Sequence, residues 1–183
     1  MRLTRVNRDA AYCPIVCLLA GDLVDENVDV CNDVRQCSVE CTVLKILLAA
    51  DGSEGALAAA RHVVRLAQSC AAVQACVTYV QEPVLNIDLM FEPTPEVIDR
   101  WTQKTGRTAI ADCSALLEAA HIPHEDAILS GEPAEKIMEL AAQKQCDLIV
   151  VGARGLGAMK GLLLGSVSMK LAQLSPLPVT IVK

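Results

Sequence analysis

Leu44-Lys45-Ile46-Leu47-Leu48-Ala49-Ala50-Asp51-Gly52-Ser53 and Asp147-Leu148-Ile149-Val150-Val151-Gly152-Ala153-Arg154-Gly155 share one pattern: a short apolar run, then an abrupt turn containing glycine. Each run is too short for a helix and has no alternation. Each therefore reads as a strand buried on both faces, which is the signature of a parallel sheet covered by helices.

Working outward, Ser53 is placed to cap a helix running to about Ser69, with Glu54 in its first turn. Leu57, Ala60, Val64 and Ala67 share one face of it. Ala72–Val80, rich in β-branched residues, reads as the second strand. Gln81–Pro93 has no period and holds two prolines, so it reads as a loop. Thr94 then caps a long helix with Pro95 at its first position. Ile98, Trp101, Thr105, Ala109, Cys113, Leu116 and Ala120 keep a helical spacing along it, and Trp101 is expected in core or dimer packing. His121-Ile122-Pro123 ends that helix. His124–Leu129 is a third strand, less apolar and so nearer an edge. Gly131-Glu132-Pro133 turns into a helix buried through Ala134, Ile137, Met138 and Ala141. Asp147–Val151 is a fourth, central strand. Ser166–Leu174 is a short helix, and Val179–Val182 is the last strand.

Strands alternating with helices predict the α/β class, with a parallel sheet and right-handed crossovers. Ligands of such open sheets sit at the carboxyl ends of the strands, where the strand order reverses. Asp51 and the loop after Gly152 both fall at strand carboxyl ends. They share one crevice if the first and fourth strands are neighbours.

Composition agrees. Of 183 residues, 52% are hydrophobic and only 2% aromatic, so the core is built from Ala, Val, Leu and Ile. The net charge is −6, and no basic stripe with interleaved aromatics is visible, which argues against a nucleic-acid groove. No apolar run reaches the 18 or so residues that a membrane-spanning helix needs. Cys70, Cys76, Cys113 and Cys146 are scattered through helix and strand patterns, as expected of reduced, buried thiols in a cytoplasmic protein.

Residues 1–42 do not share the pattern. They carry four Arg against seven Asp or Glu, with no sustained period, and hold five of the nine cysteines. The run Ala10–Ala20 faintly resembles a secretory signal, but Asp9 abuts it and Pro14 breaks it. Cys13-x3-Cys17 and Cys37-x3-Cys41 invite a metal reading, but no His or tight C-x2-C knuckle accompanies them. The segment reads as a poorly ordered extension, or as upstream sequence translated in error with the true start near Val43 or Leu44. The domain is residues 43–183.

The chemistry-bearing stretch is Gly152-Ala153-Arg154-Gly155, then nine residues, then Gly165-Ser166. Glycines let backbone N–H groups approach a ligand closely. A helix opening at Gly165-Ser166 offers free N–H groups and the positive end of its dipole to an anion. Ser166 and Ser168 add hydroxyls, and Arg154 or Lys160 can neutralise phosphate charge. A flexible loop ending in a helix cap is the plainer alternative. The spacing is neither the Walker A loop nor the dinucleotide fingerprint. A carboxylate at the end of a buried strand is costly unless used, so Asp51 is assigned to a ligand, with capping of the next helix as the alternative.

Gly-x2-Gly-x9-Gly-Ser after an apolar strand resembles the ATP-binding branch of the universal stress protein family. The acidic turn Asp51-Gly52-Ser53, Tyr79-Val80 closing the second strand, Ser130-Gly131-Glu132-Pro133 and Pro176-Leu177-Pro178-Val179 resemble the same family. Tyr79 stands where the family usually has His. The resemblance covers about 140 residues. It implies an open, doubly wound, five-stranded parallel sheet in the order 3-2-1-4-5, of the adenine nucleotide alpha hydrolase-like kind. It implies ATP, with Mg²⁺, as the ligand. Ala50, Asp51 and Val80 would then lie by the adenine and Gly152 by the ribose. Arg154, Gly155, Gly165, Ser166, Val167 and Ser168 would surround the phosphates. The resemblance also implies a homodimer paired through Val179–Val182, and a regulatory module in a stress response with an unidentified protein partner. Slow ATP hydrolysis or autophosphorylation is the alternative, and no catalytic residue is assigned.

Overall fold

Strands and helices alternate without exception through the residues that the computed structural model describes: 43–69, 72–82, 94–157 and 163–183. The expectations for residues 1–42, for the connection 83–93, for Cys70 and for Lys160 lie outside the described residues. In chain order the elements are β1 (Leu44–Ala49), α1 (Glu54–Ser69), β2 (Val73–Gln81), α2 (Pro95–Ala119), β3 (His124–Ser130), α3 (Pro133–Gln143), β4 (Leu148–Gly152), α4 (Ser166–Leu174) and β5 (Val179–Val182). The sheet is five-stranded with order β3-β2-β1-β4-β5. Every neighbouring pair is parallel.

The period of two along β1 explains its unbroken apolar run. Ile46 and Leu48 face one layer, with Ala56, Ala59, Ala60 and Val63 of α1 and Ile110, Cys113 and Leu117 of α2. Leu47 and Ala49 face the other, with Ala134, Ile137, Leu140 and Ala141 of α3 and Leu171 of α4. Each face of the central strand is thus sealed by two helices, and none of its middle side chains reaches water. Cys76, Cys113 and Cys146 are free thiols within these layers. Burial, then the nearby Glu125 carboxylate, pushes the Cys76 thiol up to about 12. Burial, then Asp112, pushes Cys113 up to about 11. Both stay protonated and unreactive at neutral pH.

Two helices are turned by about one residue from the faces expected of them. In α1 the buried residues are Ala56, Ala59, Ala60 and Val63, while Leu57, Val64 and Ala67 are half-buried. A Cβ on Gly152 would lie 2.5 Å from the carbonyl carbon of Gly55, so the start of α1 presses onto β4 and presents its alanines there. In α2 the buried residues are Thr102, Gly106, Ile110, Cys113 and Leu117. Trp101 is 49% exposed and is not core. Thr94 takes the N-cap position of α2 without a side-chain cap bond.

Candidate functional site

The chain leaves β1 for β2 and β3 on one side, then returns to β4 and β5 on the other. At that reversal the carboxyl ends of β1 and β4 part, and a crevice of about 650 Å³ opens between them. That volume lies within the range of small-molecule sites. Ala50, Asp51, Val80, Gly152, Arg154, Gly155, Gly165, Ser166 and Val167 all line it. Ser168 does not. It is buried, and its hydroxyl is turned to the carbonyl oxygens of Ala153 at 3.1 Å and Gly165 at 3.0 Å. Its side chain ties the loop to α4, leaving only its backbone N–H near the opening.

Three helix starts surround the crevice, and they end differently. Gly52, at φ +81°, reverses the chain after Asp51. Ser53 then caps α1, its Oγ accepting from the Ala56 N–H at 3.2 Å. α3 is capped by the Glu132 carboxylate, which accepts from the Glu135 N–H at 2.8 Å. α4 begins at Gly165 with no side-chain cap bond and no acidic residue in its first turn. Among the described residues, the N–H groups of Ser166, Val167 and Ser168 meet no acceptor. Ser166 is exposed and Val167 half-buried, so the positive end of this helix opens onto the cavity.

The opposite wall comes from β2. β1 pairs with it no further than Ala49 with Thr78, and the Ala50 N–H donates to Thr78 O at 2.8 Å. The Gln81 carbonyl turns the other way and accepts from the Gly131 N–H at 3.0 Å. Backbone groups alternate sides along a strand, so the Val80 N–H and C=O both point into the crevice.

Tyr79, Gln81, Glu82, Leu156, Leu164 and Ile137 also line the crevice and were not among the expected site residues. The Tyr79 hydroxyl donates to Gln81 Oε1 at 2.7 Å, and the Gln81 amide donates to Glu82 O at 3.1 Å. Burial, then the Asp51 and Glu82 carboxylates, pushes the Tyr79 phenol up, which keeps it a donor. The usable signal was position: residues that follow Val80 on the same strand end must share its surroundings. Leu156 and Leu164 are two of five large apolar residues in this loop, with Met159, Leu162 and Leu163, so composition did not separate them.

The comparisons with known proteins converge. The model of the universal stress protein family matches residues 42–183. A universal stress protein of Thermus aquaticus is 40% identical over 139 residues, covering 75% of this chain and 97% of that protein. The solved structure of the hypothetical protein MJ0577 is 29% identical with a TM-score of 0.65, covering 76% of this chain and 94% of that one. A universal stress protein solved in complex with cAMP is 25% identical with a TM-score of 0.51, covering 76% of this chain and 96% of that one.

Proposed function

The chain belongs to the universal stress protein family, and on that footing we propose that its crevice binds an adenine nucleotide, ATP with Mg²⁺, whose occupancy regulates a partner in a stress response. The observation that carries this reading is the pairing of two open backbone sites across one cavity. The uncapped start of α4 suits a phosphate. The Val80 N–H and C=O suit the donor–acceptor edge of adenine, with the apolar Val80 and Ile137 beside it. Gly152 would border the ribose, and Arg154, exposed on the rim, would neutralise phosphate charge. The relative solved with cAMP supports an adenine nucleotide as the ligand class.

The module would work in the cytoplasm as a homodimer. The edge strand β5, half-exposed along Val179–Val182, would pair with its copy and remove an open sheet edge. Slow hydrolysis or autophosphorylation is favoured by one observation, the exposed Ser166 hydroxyl on the crevice wall.

Calorimetry with ATP, AMP and cAMP on the wild-type chain and on Gly165→Asp tests the proposal. A Cβ at Gly165 would have 3.6 Å to its nearest atom, so Asp fits there and caps α4. It would occupy the open N–H groups and repel phosphate. Losing one or two charge-assisted hydrogen bonds, about 3 kcal/mol, corresponds to a Kd raised by roughly 100-fold. The thermal midpoint of the variant should hold or rise. Equal affinity in wild type and variant would sink the phosphate reading. Phosphoserine at Ser166 after incubation with ATP would favour the autophosphorylating alternative.

A further inference from the structure

The turn after β1 and the loop after β4 do more than line a crevice together. Both oxygens of the Asp51 carboxylate accept from backbone N–H groups: Oδ1 from Ser53 at 3.0 Å, and Oδ2 from Leu156, 105 positions along the chain, at 3.0 Å. The glycines of the loop are arranged around this contact. A Cβ on Gly155 would stand 2.2 Å from Asp51 Oδ2. A Cβ on Gly152 would stand 2.5 Å from the carbonyl carbon of Gly55, and one on Gly55 would stand 2.2 Å from Arg154 O. The Ser53 hydroxyl lies 3.4 Å from the same Arg154 oxygen. The space a side chain would take is filled at Gly152 by the start of α1 and at Gly155 by the Asp51 carboxylate.

We infer that Asp51 is a positioning residue: its carboxylate latches the loop Gly152–Gly157 to the turn after β1, Gly155 lacking a side chain to admit that carboxylate and Gly152 lacking one to admit the start of α1. This role does not require direct contact of Asp51 with the ligand, although Asp51 lines the crevice. A carboxylate that already receives two N–H groups has its charge partly met, which suits it to a crevice built for an anion. The latch fixes the loop from which the chain enters α4, because Gly165 N–H donates to Ala153 O at 2.7 Å. Movement at Gly155 therefore carries to the open helix start. The inference rests on the proposed nucleotide site for its effect on affinity, but the latch exists without ligand and can be read without it.

The test uses the full chain with Asp51→Asn, Asp51→Ala, Gly155→Ala and the Asp51→Ala/Gly155→Ala double variant. Hydrogen exchange at the Leu156 amide is followed by NMR without nucleotide, and ATP affinity is measured beside it. Circular dichroism checks folding, and Asp51→Asn, the same size as the native residue, serves if Asp51→Ala is unstable. An Asn carbonyl can accept from Ser53 or Leu156, not from both. Asp51→Ala and Gly155→Ala should each speed exchange at Leu156 by about tenfold, the loss of one local bond, and weaken ATP by a similar factor; Asp51→Asn should speed exchange at whichever of Ser53 and Leu156 loses its acceptor. The double variant should be no worse than the worse single one, because both break one contact. Unchanged exchange at Leu156 in Asp51→Ala and Gly155→Ala, or at both Ser53 and Leu156 in Asp51→Asn, overturns the latch, whether or not affinity falls; a fall with unchanged exchange returns Asp51 to direct ligand contact. If the wild type binds no nucleotide, the functional proposal fails, and the exchange result alone still decides the latch.

Discussion

The helix that follows β1 and the helix that follows β4 begin on the same crevice, yet only one of them is finished by its own chain. At the start of α1, Ser53 Oγ holds the Ala56 N–H, Ser53 O holds the Leu57 N–H, and Asp51 holds the Ser53 N–H. Glu54 adds a favourable charge in the first turn. At the start of α4 a glycine occupies the cap and the first turn carries no acid. The first four N–H groups of any helix need acceptors. Where the chain supplies them, the helix start is architecture. Where it withholds them beside a cavity, the acceptor is left for something else. The capped start of α1 braces the loop that leads to the open start of α4.

The strongest way to break this division is to push the brace away. Gly55→Ala places a Cβ against the Arg154 carbonyl oxygen, a backbone atom that cannot swing aside. Overpacking of this kind costs about 3 kcal/mol, which lowers the thermal midpoint by roughly 10 °C in a domain of this size. Differential scanning fluorimetry reads the first effect. Nucleotide affinity should fall with it, because the loop rests on that helix start. A variant as stable as wild type would mean that the close approach of α1 to the loop is not a constraint.

Much of this was legible beforehand. Ser166–Leu174 and Val179–Val182 have the expected limits, and the other elements shift by a residue or so. Short apolar runs punctuated by glycine and proline leave little choice of element or order. The helix faces were harder. α1 is so rich in alanine that two adjacent stripes are equally apolar, and the close contact of Gly55 with Gly152 decides between them. Of the two places expected for Trp101, core or dimer packing, the core is ruled out because the first turns of α2 are exposed. The crevice residues were mostly readable, but their roles were not. No pattern in the chain pairs Asp51 with the N–H of Leu156 or turns the Val80 backbone inward. Those facts come from strand register and from where β1 stops. Ser168 looked equivalent to Ser166 in the motif, and only the helical turn separates a hydroxyl facing the cavity from one facing the loop.

A smaller change sharpens the comparison. Ser53→Ala removes the cap of α1 and the contact with Arg154 O while adding no bulk. Loss of an N-cap costs about 1 kcal/mol, a fall of roughly 3 °C in midpoint. Set beside Gly165→Asp, the two variants should move in opposite senses: Ser53→Ala loses stability and keeps most of its affinity, while Gly165→Asp loses affinity and keeps its stability. If Ser53→Ala instead abolished binding at unchanged stability, the capped start of α1 would itself be part of the ligand site.

The smallest effect concerns the third helix start, which links the other two kinds. Glu132 caps α3 and is bridged by Lys170, one turn along α4 from Ser166. The hydrogen bond from Lys170 is the main reason that the Glu132 carboxyl is held below its ordinary range. A carboxylate with a lowered folded pKa adds stability above its unfolded pKa of about 4.3, and loses it as pH falls through the folded value. Lys170→Gln should therefore destabilise the protein at pH 7 and leave it nearly unchanged once Glu132 is protonated in both chains. The Lys170 side chain is 51% exposed, so solvent screening keeps the effect of the pair small. Urea unfolding at pH 7 and pH 3, with and without added salt, measures the difference. The gap should close at low pH and narrow in salt, with ATP affinity unchanged. A fall in affinity that salt reverses would show that the Lys170 charge reaches past the cap of α3 to the open start of α4, and the division between braced and open helix starts would then be one of degree.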